Sequence, residues 1–180
     1  MTITTLVRTF AAAAMLVATM AGAQNILDNP YFNAGLSNWT PSDPSRATWT
    51  NTMDYHVEDG VPFGSAELDS HDGMAFIAQC VPIDLMTYVG TVWVYSGCAG
   101  QSLNIFWADD ACTASFDGMA AQSTVTGAWQ QLTAIGTPTL TSSHAVVVLL
   151  NPSACGNTAF FDVAALQPDY VFANGFEVAL

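Results

Sequence analysis

From residue 24 onward the chain shows alternation in place of a 3.6-residue apolar period. Short runs rich in Val, Thr, Ile and aromatic residues are separated by clusters of Gly, Pro, Asn, Asp and Ser. Alternation of that kind builds half-buried strands, because successive side chains of a strand point to opposite faces. The runs predict strands at 46–50, 54–58, 74–81, 88–97, 102–108, 128–135, 144–150 and 158–166. Eight short strands in about 140 residues predict an all-β chain, folded as a two-sheet antiparallel β-sandwich of the jelly-roll kind. Hydrophobic residues make up 51% of the chain and ten are Phe, enough to fill a core and to exclude a disordered chain.

Residues 1–23 read as an export signal. Arg8 supplies the positive end, Phe10 to Met20 the apolar run, and Ala21-Gly22-Ala23 an A-x-A cleavage site. The folded unit is then expected over 24–168, with a tail at 169–180. The apolar run is short for a membrane span, so no membrane insertion is expected. The expected location is outside the cytosol, in the periplasm or beyond the cell. Past residue 23, Arg46 is the sole strong cation against fifteen acids, and the chain has no Lys. Such a surface repels phosphate backbones and acidic sugars, which argues against nucleic acid and leaves neutral or cationic ligands.

Cys80, Cys98, Cys112 and Cys155 contain no C-x-x-C pair. In an oxidising compartment four such cysteines predict two disulfides and not a zinc site. The segment 88–108 narrows the choice. Gly97-Cys98-Ala99-Gly100 reads as the turn of a β-hairpin, with Val92 opposite Trp107, Val94 opposite Ile105, Trp93 opposite Phe106 and Tyr95 opposite Asn104. Cys112 then lies beyond the far end of the returning strand, roughly 23 Å from Cys98 and outside the ~7 Å Cα limit for a bridge. Cys80–Cys112 and Cys98–Cys155 are the expected pairs.

Two stretches carry a resemblance: Asn29-Pro-Tyr-Phe-Asn-Ala-Gly-Leu-Ser-Asn-Trp39 and Phe160-Phe161-Asp162-Val163. They resemble the first and last strands of CenC-like, galactose-binding-like carbohydrate-binding modules. The resemblance implies a jelly roll that binds a glycan and catalyses nothing. It also implies one structural calcium ion, held by Asp28, Asn33, the 69–73 loop through Asp72, and Asp162, although such modules usually carry Glu where this chain has Asn33. Trp39 and Trp129 fall in segments that look like the family's structural landmarks and are expected in the core, as is Trp107. The tail around Phe172 to Glu177 resembles a short F-x-N-G-F-E tag of secreted proteobacterial proteins.

Sugars bind with CH groups laid on aromatic faces and hydroxyls on amides and acids. The hairpin reading makes Trp93, Tyr95, Asn104 and Phe106 one mixed aromatic and polar face. Trp49, Tyr55 and His56 would form its rim, and one of Gln130 and Gln131 would point toward it. The expected partner is a neutral polysaccharide or oligosaccharide. The same fold could instead serve as a surface or matrix interaction domain, with those rings as packing, or as a small glycan-active enzyme. For an enzyme the chain offers no G-x-S-x-G, H-E-x-x-H or Gly-rich phosphate loop. Its adjacent acids Glu58-Asp59 and Asp109-Asp110 would point to opposite faces of a strand.

Overall fold

The computed structural model describes residues 24–169 except 56, 59, 60, 63, 113 and 114, so His56, the export signal and most of the tail lie outside the described residues. In chain order the strands are β1 (Thr40–Pro41), β2 (Ala47–Thr50), β3 (Val57–Glu58), β4 (Val61–Pro62), β5 (Ser65–Asp69), β6 (Ala75–Pro82), β7 (Tyr88–Ser96), β8 (Ser102–Ala108), β9 (Ser115–Gln122), β10 (Gln130–Gly136), β11 (His144–Asn151) and β12 (Thr158–Pro168). One sheet runs β1-β6-β11-β8-β9 and the other β10-β7-β12-β5-β2, with β3 and β4 forming a separate pair. Every pairing is antiparallel. The architecture is the expected two-layer sandwich. Among the described residues no helix is long and apolar enough to cross a membrane.

The core lies between the layers and follows strand parity. Val92 and Val94 of β7, Leu103, Ile105 and Trp107 of β8, Val147 and Leu149 of β11, and Phe161 and Leu166 of β12 are all buried. Each such side chain contributes about 1.5–3 kcal/mol by leaving water. Gly90 of β7 lets the layers close: a Cβ there would stand 2.2 Å from Ile105 Cδ1. Trp39 and Trp107 are buried, as expected.

The predicted hairpin is not formed. β7 pairs with β10 and β12, and β8 pairs with β11 and β9, so the two strands lie in opposite layers. The chain changes sheets at 97–101, and buried Gln101 holds the corner. Its amide Nε2 donates to Ser96 Oγ (3.0 Å) and Asn151 Oδ1 (3.2 Å), while its Oε1 accepts from Ser123 Oγ (2.7 Å). A polar corner satisfied on all sides can be buried, whereas a tight hairpin would have needed only exposed turn residues. The disulfides are nevertheless Cys80–Cys112 and Cys98–Cys155. The first joins β6 to the turn that follows β8, across the intervening β11.

The opening segment is not a strand. Between Asp28 and Asn38 it is built from turns, with Asn29, Phe32, Gly35 and Asn38 at positive φ. Asn residues tolerate that region and Gly favours it. Phe32 is buried against Trp39, with ring centroids 5.5 Å apart. Asn25 clamps the segment to β12, its Nδ2 donating to Ala164 O while its Oδ1 accepts from Leu166 N. That clamp lies beside an irregularity in β12 between Asp162 and Ala165, where Val163 has φ 49°.

Candidate functional site: an aromatic sheet face

Residues of β7 that do not face the core point outward from the second sheet. Trp93 and Tyr95 are both half-buried there. Register then fixes their neighbours. Gln131 of β10 and Asp162 of β12 flank Trp93, and Phe160 of β12 lies beside Tyr95, followed by Glu67 of β5 and Thr48 of β2. Trp129 stands just before β10 and Tyr55 descends from the loop after β2.

Five rings converge on this face. The Tyr55 ring stacks on Trp93 with centroids 3.8 Å apart and planes 15° from parallel. Trp129 meets Tyr55 edge-on at 5.7 Å and Tyr95 at 5.8 Å, and Tyr95 reaches Phe160 at 6.4 Å. Offset and edge-to-face contacts at these distances are attractive beyond simple burial, so the cluster holds its shape outside the core. Beneath it Asp162 is wholly buried. Its Oδ2 accepts from the backbone N–H of Tyr55 at 3.0 Å and its Oδ1 from that of Val163 at 2.7 Å. The loop is tied at two more points: Ser65 Oγ donates to Met53 O, and Asp54 Oδ2 accepts from Gly64 N at 2.9 Å.

Of the ring and amide positions read from sequence, Trp93, Tyr95 and Tyr55 come together. Asn104 and Phe106 do not. They lie on the outer side of the other sheet, because β8 belongs to that layer. Trp49 also stands apart from the cluster. It pairs with core-facing Ala66 and donates from Nε1 to Phe32 O at 2.6 Å, sealing the sheet edge. Gln131 is exposed beside Trp93, whereas Gln130 turns its Oε1 to the N–H groups of Thr124 and Val125. Trp129 is a correction, since it is half-exposed in the ring cluster and not core. Parity carried the missing signal: residues 129, 131 and 133 share one phase, while Leu132 and Ala134 hold the buried one. The same parity puts Phe160 with Asp162 on the outer face and Phe161 inside.

Of the residues implied for calcium, Asp162 and the Asp72 backbone have protein partners. Among the described residues, no three His, Cys, Asp or Glu side chains converge in a way that could hold a metal ion. Asp162 gives both oxygens to backbone N–H groups. At the 69–73 loop Asp69 binds His71, and the Arg46 guanidinium donates to Asp72 O at 2.6 Å. A fixed cation beside Asp72 opposes a second one.

The sandwich has a jelly-roll fold like that of solved carbohydrate-binding modules. Three solved structures illustrate the likeness. A carbohydrate-binding module described as TmCBM61, in complex with β-1,4-galactotriose, is 17% identical with a TM-score of 0.59, covering 82% of this chain and 100% of that one. A family 16 carbohydrate-binding module is 16% identical at 0.63, covering 79% and 99%. The enzymatically active domain of bacteriophage CBA120 tailspike protein 4 is 13% identical at 0.64; the likeness covers 81% of this chain but only 21% of the tailspike chain. At these identities the likeness is one of fold. No protein-family model and no curated protein matches the sequence.

Proposed function

We propose that the protein is an exported, non-catalytic module that binds a neutral glycan on the outer face of the β10-β7-β12-β5-β2 sheet. The single observation that carries this reading is the cluster of Tyr55, Trp93, Tyr95, Trp129 and Phe160 gathered outside the core. Aromatic rings on a sheet face, with Gln131 and Glu67 beside them, offer what a pyranose needs: flat apolar surface for its CH groups and polar atoms for its hydroxyls. The acidic chain favours an uncharged sugar. Asp162, sealed from water and bound to two N–H groups, has the posture of a structural acid and not of a general acid or base. The two disulfides suit an oxidising compartment.

Native affinity electrophoresis of the chain from Gln24 tests the reading. Gels would contain β-1,4-galactan, xylan, a mixed-linkage glucan or, as the charged control, polygalacturonate. Retardation by a neutral polymer that is lost in Tyr95→Ala supports it. A folded protein that migrates identically in every gel would sink it.

A further inference from the structure

The stack on Trp93 changes which ring a ligand would meet. Tyr55 lies on the indole at the separation of two rings in van der Waals contact, so it occupies the face where a sugar would otherwise lie. Tyr55 itself is 38% exposed, with the Trp129 edge set at 64° to it. The two rings form an open corner backed by Trp93.

Nor is Tyr55 a loose cover. Its backbone N–H is held by Asp162, which sits opposite Trp93 across the β7–β12 pair. The carboxylate therefore fixes the loop above the same pair of strands that presents the indole. Burying a carboxylate is costly unless donors surround it, and a charge-assisted bond to a backbone N–H is among the stronger ones available. An amide at this position would offer one acceptor oxygen where the acid offers two.

We infer that Tyr55 contacts the sugar in place of Trp93, that Trp93 is its backing plate, and that Asp162 is a positioning residue acting through Tyr55. The inference rests on the glycan-binding reading for its first part alone; the positioning of Tyr55 by Asp162 stands whether or not a sugar binds.

Two readouts separate these parts. Near-UV circular dichroism of the unliganded protein reports the Tyr55–Trp93 stack, and gel retardation in β-1,4-galactan and xylan reports affinity. Tyr55→Ala removes the stack signal and weakens binding about tenfold or more. Asp162→Asn reduces the stack signal and weakens binding several-fold, yet adds less than about twofold in a Tyr55→Ala background, because a residue acting through Tyr55 has nothing left to position. Asp162→Glu, which keeps the charge but not the reach, serves the same comparison if Asp162→Asn fails to fold. Binding by Tyr55→Ala as tight as the parent's, or tighter, would overturn the contact role. An unchanged stack signal in folded Asp162→Asn, or an Asp162 effect that is the same with and without Tyr55, would overturn the positioning role. No retardation of the parent protein, with the stack signal lost in Asp162→Asn, would refute the glycan reading and the Tyr55 contact while keeping the positioning.

Discussion

Trp93 and Phe106, expected as cross-strand partners, face away from each other on opposite outer surfaces of the sandwich. Their strands meet through the core, where Gly90 and Ile105 touch, and not edge to edge.

That arrangement makes a direct test of which face binds. Tyr95→Ala should weaken glycan binding about tenfold or more, on the scale of losing one stacking ring. Phe106→Ala and Asn104→Ala should bind within about twofold of the parent. Affinity electrophoresis of the three variants checks this, and equal losses on both sides would contradict a single binding face.

Gly90 sets the spacing between the layers. Gly90→Ala should cost about 1–3 kcal/mol, because its Cβ would stand 2.2 Å from Ile105 Cδ1. Thermal melting reads the loss. Adding Ile105→Val, which removes that methyl, should recover part of it, since the two positions share one contact.

Thermal melting with and without a chelator tests the calcium ion that the resemblance implies. Asp162 already has an N–H partner for each oxygen, and Arg46 occupies the loop beside Asp72. A fall of several degrees in EDTA that is restored by calcium would show a metal site that these side chains do not display.

Acid should act through two exposed carboxylates. The Asp69 carboxyl is held below the usual range chiefly by the backbone N–H of His71 and next by its ring; Asp43 is lowered first by the Ser45 hydroxyl and then by the Ser45 N–H. Groups with depressed folded pKa values stabilise above the unfolded value, about 3.9, and that stabilisation is lost as pH falls through the folded value. The Asp43→Asn/Asp69→Asn double variant should therefore melt slightly lower than the parent at pH 6. The gap should close below about pH 4. Solvent exposure keeps the effect small.

How much of this was legible in the sequence divides along the range of the interactions. Alternation is local, so the inward phase of Val92, Val94, Leu103, Ile105 and Trp107 could be read directly, and so could the outward phase of Trp93 and Tyr95. Pairing is not local. Adjacent strands with a short connection suggested a hairpin, yet buried Gln101 and its partners Ser96, Asn151 and Ser123 turn that connection into a change of layer. The disulfide pairs survived the error because β8 separates Cys98 from Cys112 in either arrangement. Besides the two-residue β1 and β4, two longer strands lie outside the predicted ranges, Ser65–Asp69 and Ser115–Gln122. Their Ala, Glu, Asp, Gly, Met and Gln have little strand preference of their own, and pairing with β2, β12 and β8 supplies what propensity does not. Trp129 shares the outward phase of Gln131, so its place outside the core follows from parity and not from the landmark segment around it.

The five rings come from four stretches of chain: Tyr55, Trp93 with Tyr95 on β7, Trp129 and Phe160. Only the closed sandwich assembles them, so the ring cluster and global integrity are one and the same observable. A saccharide seated there would draw on every strand of the sheet's centre. Its occupancy would raise the unfolding temperature of the entire domain in proportion to the logarithm of sugar concentration.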